Sequence, residues 1–386
     1  MISMKVRNLI TDPVKDLAES GKLAGLLLIA ATAVSLVLSN CGIAASYLSI
    51  WHMEIGFDFL RESVLHWIND GLMAVFFFMI GLEIKREIQE GELAVREKAI
   101  LPVIAALGGM VFPAIIFFLF NSGSAEHLNG WAIPTATDIA FSLGILSLLG
   151  KRAPLSLKIF LTALAIIDDL GAIVIIATFY THQLHFAMLG IALLFALAMF
   201  ALNRFKLKYL FFYLIPAVGL WYFIFKSGVH PTIAGVVAAM FIPKETAHKL
   251  EISLHRPVNY YILPLFALAN TAIPLIFDSS RMFSGLTAGI ILGLLAGKPI
   301  GIMLFSWIGV KIKVSSLPAG TSWKHIAGTG MLAGIGFTMS IFIAGLSYKE
   351  PAVLDISKLS ILAGSTLSAL FGIGVLYFLG KNKFVR

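Results

Sequence analysis

Apolar runs of membrane-crossing length recur along this chain, and they leave few folds open to it. Twelve are found, at roughly 23–40, 63–84, 99–120, 131–149, 156–180, 186–202, 209–225, 230–242, 257–276, 284–309, 326–347 and 358–380. A helix needs about 20 apolar residues to cross the hydrocarbon core of a bilayer. Inside that core each backbone N–H and C=O must find its partner within the protein, which a helix achieves segment by segment. Only 13% of the residues are charged and 59% are hydrophobic, whereas soluble domains carry about 25% charged residues. The expected fold class is an all-α polytopic membrane protein of about twelve transmembrane helices, the eighth of them short.

The basic residues test that count. With twelve spans, 23 of the 29 Lys and Arg residues fall on the side of the N-terminus, from Lys5, Arg7, Lys15 and Lys22 to Lys381, Lys383 and Arg386. Arg61, Lys226, Arg281, Lys349 and Lys358 fall on the other side, and Lys298 lies inside a span. Such an excess places both termini in the cytoplasm, and a missed or invented helix would scramble the alternation. The net charge of +8 is therefore a topology signal, and no nucleic-acid partner is expected. The first twenty residues lack an apolar core and a small-residue cleavage site, so the first span is expected to be retained. A single cysteine, Cys41, excludes an intrachain disulfide and a cysteine-based metal site. No long polar linker divides the chain, which reads as one domain over residues 1–386. The loop Ser46–Glu62 contains YLSIWHMEIGF and reads either as an exposed hairpin that pairs with a second copy or as a disordered loop.

Two spans are interrupted at mid-depth. The fourth carries Pro134 and then Thr137-Asp138, and the eleventh carries Gly334, Gly336 and Thr338. Non-helical backbone at that depth is tolerated only where protein or a water-filled cavity surrounds it. Interruptions at corresponding places in two halves point to a transporter binding site, and these two spans run in opposite directions, as an inverted repeat of spans 3–5 against 10–12 requires. The plainer alternative is a proline kink and a pair of packing glycines. Span 10 places glycines at 285, 289, 293, 297 and 301, a ridge that admits a neighbouring backbone closely, with Lys298 directly behind it.

Asp138, Asp168, Asp169 and Lys298 form the intramembrane ionisable set, deep within their spans. At ~3 kcal/mol each on insertion scales, four unpaired charges would cost about 12 kcal/mol, so they pair, meet water or face helix ends. Asp138 can offset half-helix N-termini and Lys298 half-helix C-termini, a role that by itself would account for both. Neighbouring helical residues point about 100° apart, so one of Asp168 and Asp169 binds an ion while the other pairs with Lys298 or lines the access path. Lithium- and sodium-sized cations are hard and take oxygen ligands, which carboxylates, the Thr137 hydroxyl and freed carbonyls supply. A carboxylate that binds either a proton or a cation is an exchanger in miniature.

The stretches WINDGLMAVFFFMIGLEIKREIQEGEL (67–93), GWAIPTATDIAFSLGILSLLG (130–150), LKIFLTALAIIDDLGAIVIIATFY (157–180), GLLAGKPIGI (293–302) and GIGFTMSIFIA (334–344) closely resemble the NhaA-type sodium/proton antiporters. That family is itself one of the known cases of inverted repeats with broken helices. The resemblance spans essentially the whole chain, and TDIAF, AIIDDLGAI and GKPIGI in that order are highly specific. It implies a twelve-helix inner-membrane fold whose spans 4 and 11 are unwound and cross. It also implies electrogenic export of Na+ or Li+ against H+ without a cofactor. Asp168 and Asp169 would form the ion site with Asp169 as direct ligand, Thr137 and Asp138 would stand in the unwound segment, and Lys298 would be the cationic partner. The family's pH-response positions match Glu83, Arg86, Glu87, Lys249, Glu251 and His255, with Asp70 and His230 as accessory groups. Where family members often have histidine after the glutamate, this chain has Ile252, which bears on the pH threshold. A homodimer built through the first external loop would suit Ser46–Glu62.

The residues alone also offer plainer readings. Glu83, Arg86 and Glu87 have the i, i+3, i+4 spacing of an interfacial ion-pair cluster, and His230 before Pro231 can be a helix-end polar residue. An intramembrane aspartyl protease is disfavoured because Gly334-Ile-Gly336-Phe337 lacks the aspartate its motif requires. No H-E-x-x-H is present either, since His248 and His255 lie seven residues apart. The chain reads as a transporter rather than an enzyme. The alternative transporter is a sodium-coupled symporter of organic solutes.

Overall fold

A computed structural model describes residues 21–58, 60–181, 184–275 and 284–381. Lys5, Arg7, Lys15, Arg281, Lys383 and Arg386 of the charge argument lie outside the described residues, as does Phe59 of the first loop. The order of elements is α1 (Gly21–Leu38), α2 (Ala44–His52), β1 (Glu54–Phe57), β2 (Leu60–Ser63), α3 (Val64–Gln89), α4 (Arg96–Asn121), α5 (Ile139–Leu148), α6 (Leu155–Phe179), α7 (Phe186–Arg204), α8 (Phe211–Ser227), α9 (Thr232–Phe241), α10 (Lys244–Pro257), α11 (Leu263–Asn270), α12 (Gly285–Lys311), α13 (Trp323–Ala333), α14 (Phe337–Ser347) and α15 (Pro351–Lys381). Seven of these helices are long and apolar enough to cross a membrane, or nine when each of two bent pairs is taken as one. The protein is an α-helical, multi-pass membrane protein. The seventh, eighth and ninth apolar runs fold as shorter helices. Pro231 and Pro243 bracket α9, and the ninth run starts as a π-turn over Val258–Ile262 before α11.

The chain forms two compact units. One takes the described residues of Met1–Ile29, Gly91–Ala172 and Leu275–Arg386. Its dominant contact is α4 on α12, and the glycine ridge explains it. A Cβ added at Gly301 would meet the carbonyl oxygen of Gly108, and one added at Gly108 would meet that of Gly301. Gly297 faces the backbone of Pro113, and Gly289 faces Phe117. The four-residue spacing thus lets α4 settle against the backbone of α12. A π-turn over Gly293–Gly297 interrupts α12 just before Lys298.

Both bent pairs belong to this unit. The residues expected to open a helix at 131 instead form a 3₁₀ turn over Ile133–Thr135 and an extended Ala136, so α5 begins only at Ile139, 44° off the preceding segment Ala125–Thr135, which opens with a short helix over Ala125–Leu128. Pro134 supplies no N–H to a helical ladder, and Asp138 caps α5 through its own carboxylate, which accepts the Phe141 N–H at 2.9 Å. The second break lies between α13 and α14, at Gly334-Ile335-Gly336, with a bend of 47°.

The other unit takes Ala30–Glu90 and Ile173–Pro274. Its core gathers Leu82 of α3, Met199 of α7, Tyr213 and Leu220 of α8 and Ala234, Ala238 and Ala239 of α9. A Cβ on Gly235 would meet the Ala74 carbonyl oxygen, so α9 crosses α3 closely. A π-turn over Trp67–Leu72 lies within α3. Of the two readings of the first loop, the structure takes the hairpin: Glu54 pairs with Ser63 and Phe57 with Leu60, antiparallel. Gly56 has a φ of 138°, a region that L side chains avoid. The start of that loop, through His52, is helical rather than extended.

Candidate functional site

The four intramembrane charges expected from the sequence lie in the first unit and are all buried. Asp168 and Asp169 are each 1% exposed, Asp138 2% and Lys298 0%. From the start of the second half of α12, Lys298 Nζ forms an ion pair with Asp168 Oδ2 and donates to Thr137 Oγ1 at 2.7 Å. The Thr137 hydroxyl has Asp168 Oδ2 at 2.6 Å and the Ala333 carbonyl at 2.8 Å as acceptors; with one proton it serves one at a time. Asp168 Oδ1 is buried without a hydrogen bond. Asp169 adds to the electrostatic field at Lys298.

Asp138 ties the two breaks together. Its N–H donates to the Ile335 carbonyl at 2.7 Å. Its Oδ1 takes the Phe141 N–H at the start of α5, and its Oδ2 takes the N–H of Thr338 at 3.1 Å and the Thr338 hydroxyl at 2.5 Å at the start of α14. One carboxylate thus faces the N-termini of two half-helices, where a negative charge is favoured. Gly334 and Gly336 stand in the break itself; a Cβ at Gly336 would meet Ser340 Oγ and the Ala136 carbonyl. The sequence reasoning missed Ser340, whose hydroxyl donates to the Ile133 carbonyl at 2.7 Å.

A second group of polar residues lies in the other unit. Arg86 Nε pairs with Glu251 Oε1 at 2.8 Å and Arg86 Nη1 with Glu87 Oε1 at 2.7 Å, which joins α3 to α10. His255 Nε2 stands 3.9 Å from Glu251 Oε1, and Glu83, 2% exposed, lies in the field of His255, Glu251, Arg86 and Glu87. Burial acts to raise the Glu251 carboxyl, but His255 and Arg86 outweigh it and hold it below the usual carboxylate range. Burial acts to lower the His255 imidazole, but its contact with Glu251 and the charge of Glu83 outweigh that and raise it, against Arg86. Lys249 is exposed, in the field of Glu245, so five of the six expected residues are gathered and Lys249 stands outside the cluster. Asp70 and His230 do meet, Oδ1 to Nε2, at 3.4 Å. His66, four residues before Asp70, is 2.8 Å from its other oxygen, a partner that the i, i+4 spacing would have disclosed.

Residues 15–376 match the family model described as Na+/H+ antiporter 1. The chain is 50% identical over 378 residues to Na(+)/H(+) antiporter NhaA 2 of Flavobacterium johnsoniae, covering 94% of this chain and 92% of that one. It is 48% identical over 379 residues to Na(+)/H(+) antiporter NhaA of Vibrio alginolyticus, covering 96% and 98%. The chain belongs to the Na+/H+ antiporter 1 family. For this member of the antiporter family, the position expected as histidine, Ile252, is 60% exposed on α10, turned from the buried Glu251.

Proposed function

We propose that this protein exchanges Na+ or Li+ for H+ across the bacterial inner membrane, electrogenically and under control of pH. Protons and the alkali cation compete at the Asp168–Asp169 pair. The observation that carries this reading is the fully buried Lys298–Asp168–Thr137 cluster beside two broken helices. Among the described residues no group of three or more His, Cys, Asp or Glu could hold a metal ion. A hard cation at the pair therefore draws its remaining ligands from oxygens of hydroxyls and backbone. Asp169 binds the ion with Asp168, Thr137 lends its hydroxyl, and Lys298 balances the pair when the ion is absent. Asp138 holds the two half-helix ends together. Na+ and H+ are the exchanged ions, with Li+ as the alternative cation, and the relatives named above support the first two by carrying the Na(+)/H(+) antiporter name.

The reading extends to architecture. The three shorter helices complete twelve spans, spans 3–5 and 10–12 form an inverted repeat with spans 4 and 11 crossing, and both termini are cytoplasmic. The two units act as one antiporter domain in the bilayer. The cluster Glu83, Arg86, Glu87, Glu251 and His255, with Lys249 nearby in sequence, sets the pH response, and Asp70 with His230 modulates it from the external end. The hairpin joins two copies in a homodimer. The alternative, symport of an organic solute with sodium, is separated by everted vesicles. An antiporter dissipates a preset ΔpH on addition of Na+ alone. Asp168→Asn or Asp169→Asn is expected to abolish that response, and unchanged exchange in both variants would defeat the assignment.

A further inference from the structure

We propose that Ser365 of α15 is a positioning residue for the cation site, acting as an N-cap supplied from another helix to the half-helix α14. The first N–H groups of any helix lack intrahelical partners, and the N-cap side chain normally takes one of them. Here the N-cap is Gly336, which has no side chain to offer. Both of the first two N–H groups are instead satisfied from outside. Thr338 N–H goes to Asp138 Oδ2 at 3.1 Å and Phe337 N–H to Ser365 Oγ at 3.1 Å. Phe337 is 5% exposed and Ser365 2%, so water offers no substitute.

The consequence reaches the ion site through the backbone. The residues held in place are Ala333 and Ile335, whose carbonyls receive the Thr137 hydroxyl and the Asp138 N–H. A glycine at the cap leaves this segment free to turn, and the Ser365 bond closes the turn on one side as Asp138 does on the other. The serine bond carries no charge, so it persists whatever the protonation of the carboxylates. One turn along α15, Ser368 offers a contrast. It is 0% exposed, lies against Gly334, and its hydroxyl has no hydrogen-bond partner.

The inference rests on the exchange reading, and kinetics in proteoliposomes distinguish the two. Wild-type exchange that Asp169→Asn abolishes establishes the reading; the serines are then compared by apparent KM for Na+ and maximal rate. Ser365→Ala is expected to raise KM about tenfold, equivalent to about 1.4 kcal/mol, with the maximal rate changed less than about twofold. Ser365→Thr, which keeps the hydroxyl, restores KM, and Ser368→Ala leaves it unchanged. A wild-type KM in Ser365→Ala, or an equal rise in Ser368→Ala, overturns the proposal. If Ser365→Ala does not reach the membrane, Ser365→Cys is used. Its weaker acceptor is expected to give an intermediate KM, and a wild-type value there overturns the proposal equally.

Discussion

Lys298 is the residue whose removal has the clearest consequence. It is the ion-pair partner of Asp168 and a donor to Thr137, and no part of it is exposed. Breaking a buried pair by deleting one member leaves an uncompensated charge and costs about 3–5 kcal/mol. Lys298→Ala is therefore expected to lower the melting temperature of the purified protein by several degrees and to reduce exchange. A variant with wild-type melting and rate would remove the pairing role. Asp168, Asp169, Asp138 and Lys298 were legible in the sequence because a charge inside an apolar run has few readings. Ser340 and Ser365 were not. A hydroxyl in a transmembrane helix usually satisfies itself on a carbonyl one turn back, as Ser357 and Thr366 do here, so residue type does not single out those that bond across helices.

Among the elements, the crossing of α4 and α12 and the joint between α3 and α10 each have their own test. Gly301→Ala puts a methyl on the Gly108 carbonyl, and overpacking of this kind costs typically 1–3 kcal/mol. It is expected to lower the melting temperature, whereas Gly374→Ala, with nothing within 4 Å of the new Cβ, is expected to leave it unchanged. Equal melting of the two variants would contradict close approach as the reason for the ridge. At the α3–α10 joint, His255 lies above its ordinary 6.5. A raised imidazole stabilises the fold fully below 6.5, and that contribution is lost as pH climbs through the raised value. Glu251, held low, has the opposite dependence, contributing above its ordinary 4.5 and losing that only in acid. His255→Gln should thus melt below wild type at pH 6 and alongside it at strongly alkaline pH; a pH-independent gap would exclude the linkage. The breaks were legible from Pro134, Gly334 and Gly336. The π-turns at Trp67–Leu72 and Gly293–Gly297 were not, because an extra residue in a helical turn is settled by packing partners distant in sequence.

For the whole molecule, the alternation of basic loops is what the proposed topology rests on, since each loop adds its own charge count. The division into two units was invisible, because each is assembled from separated stretches of chain with no linker to mark it. The hairpin exposes Ile55 and Phe57, at 53% and 74%, and its proposed role is assembly. Deleting Glu54–Ser63 is expected to shift the detergent-solubilised protein from dimer to monomer in light scattering with exchange retained; an unchanged mass would place the interface elsewhere. The central claim is competition between protons and alkali cation for the buried carboxylates. Calorimetric titration of the purified protein with Na+ across a range of pH tests it most directly. The apparent affinity is expected to weaken about tenfold per pH unit of acidification for each proton displaced, and an affinity that stays constant with pH would contradict it.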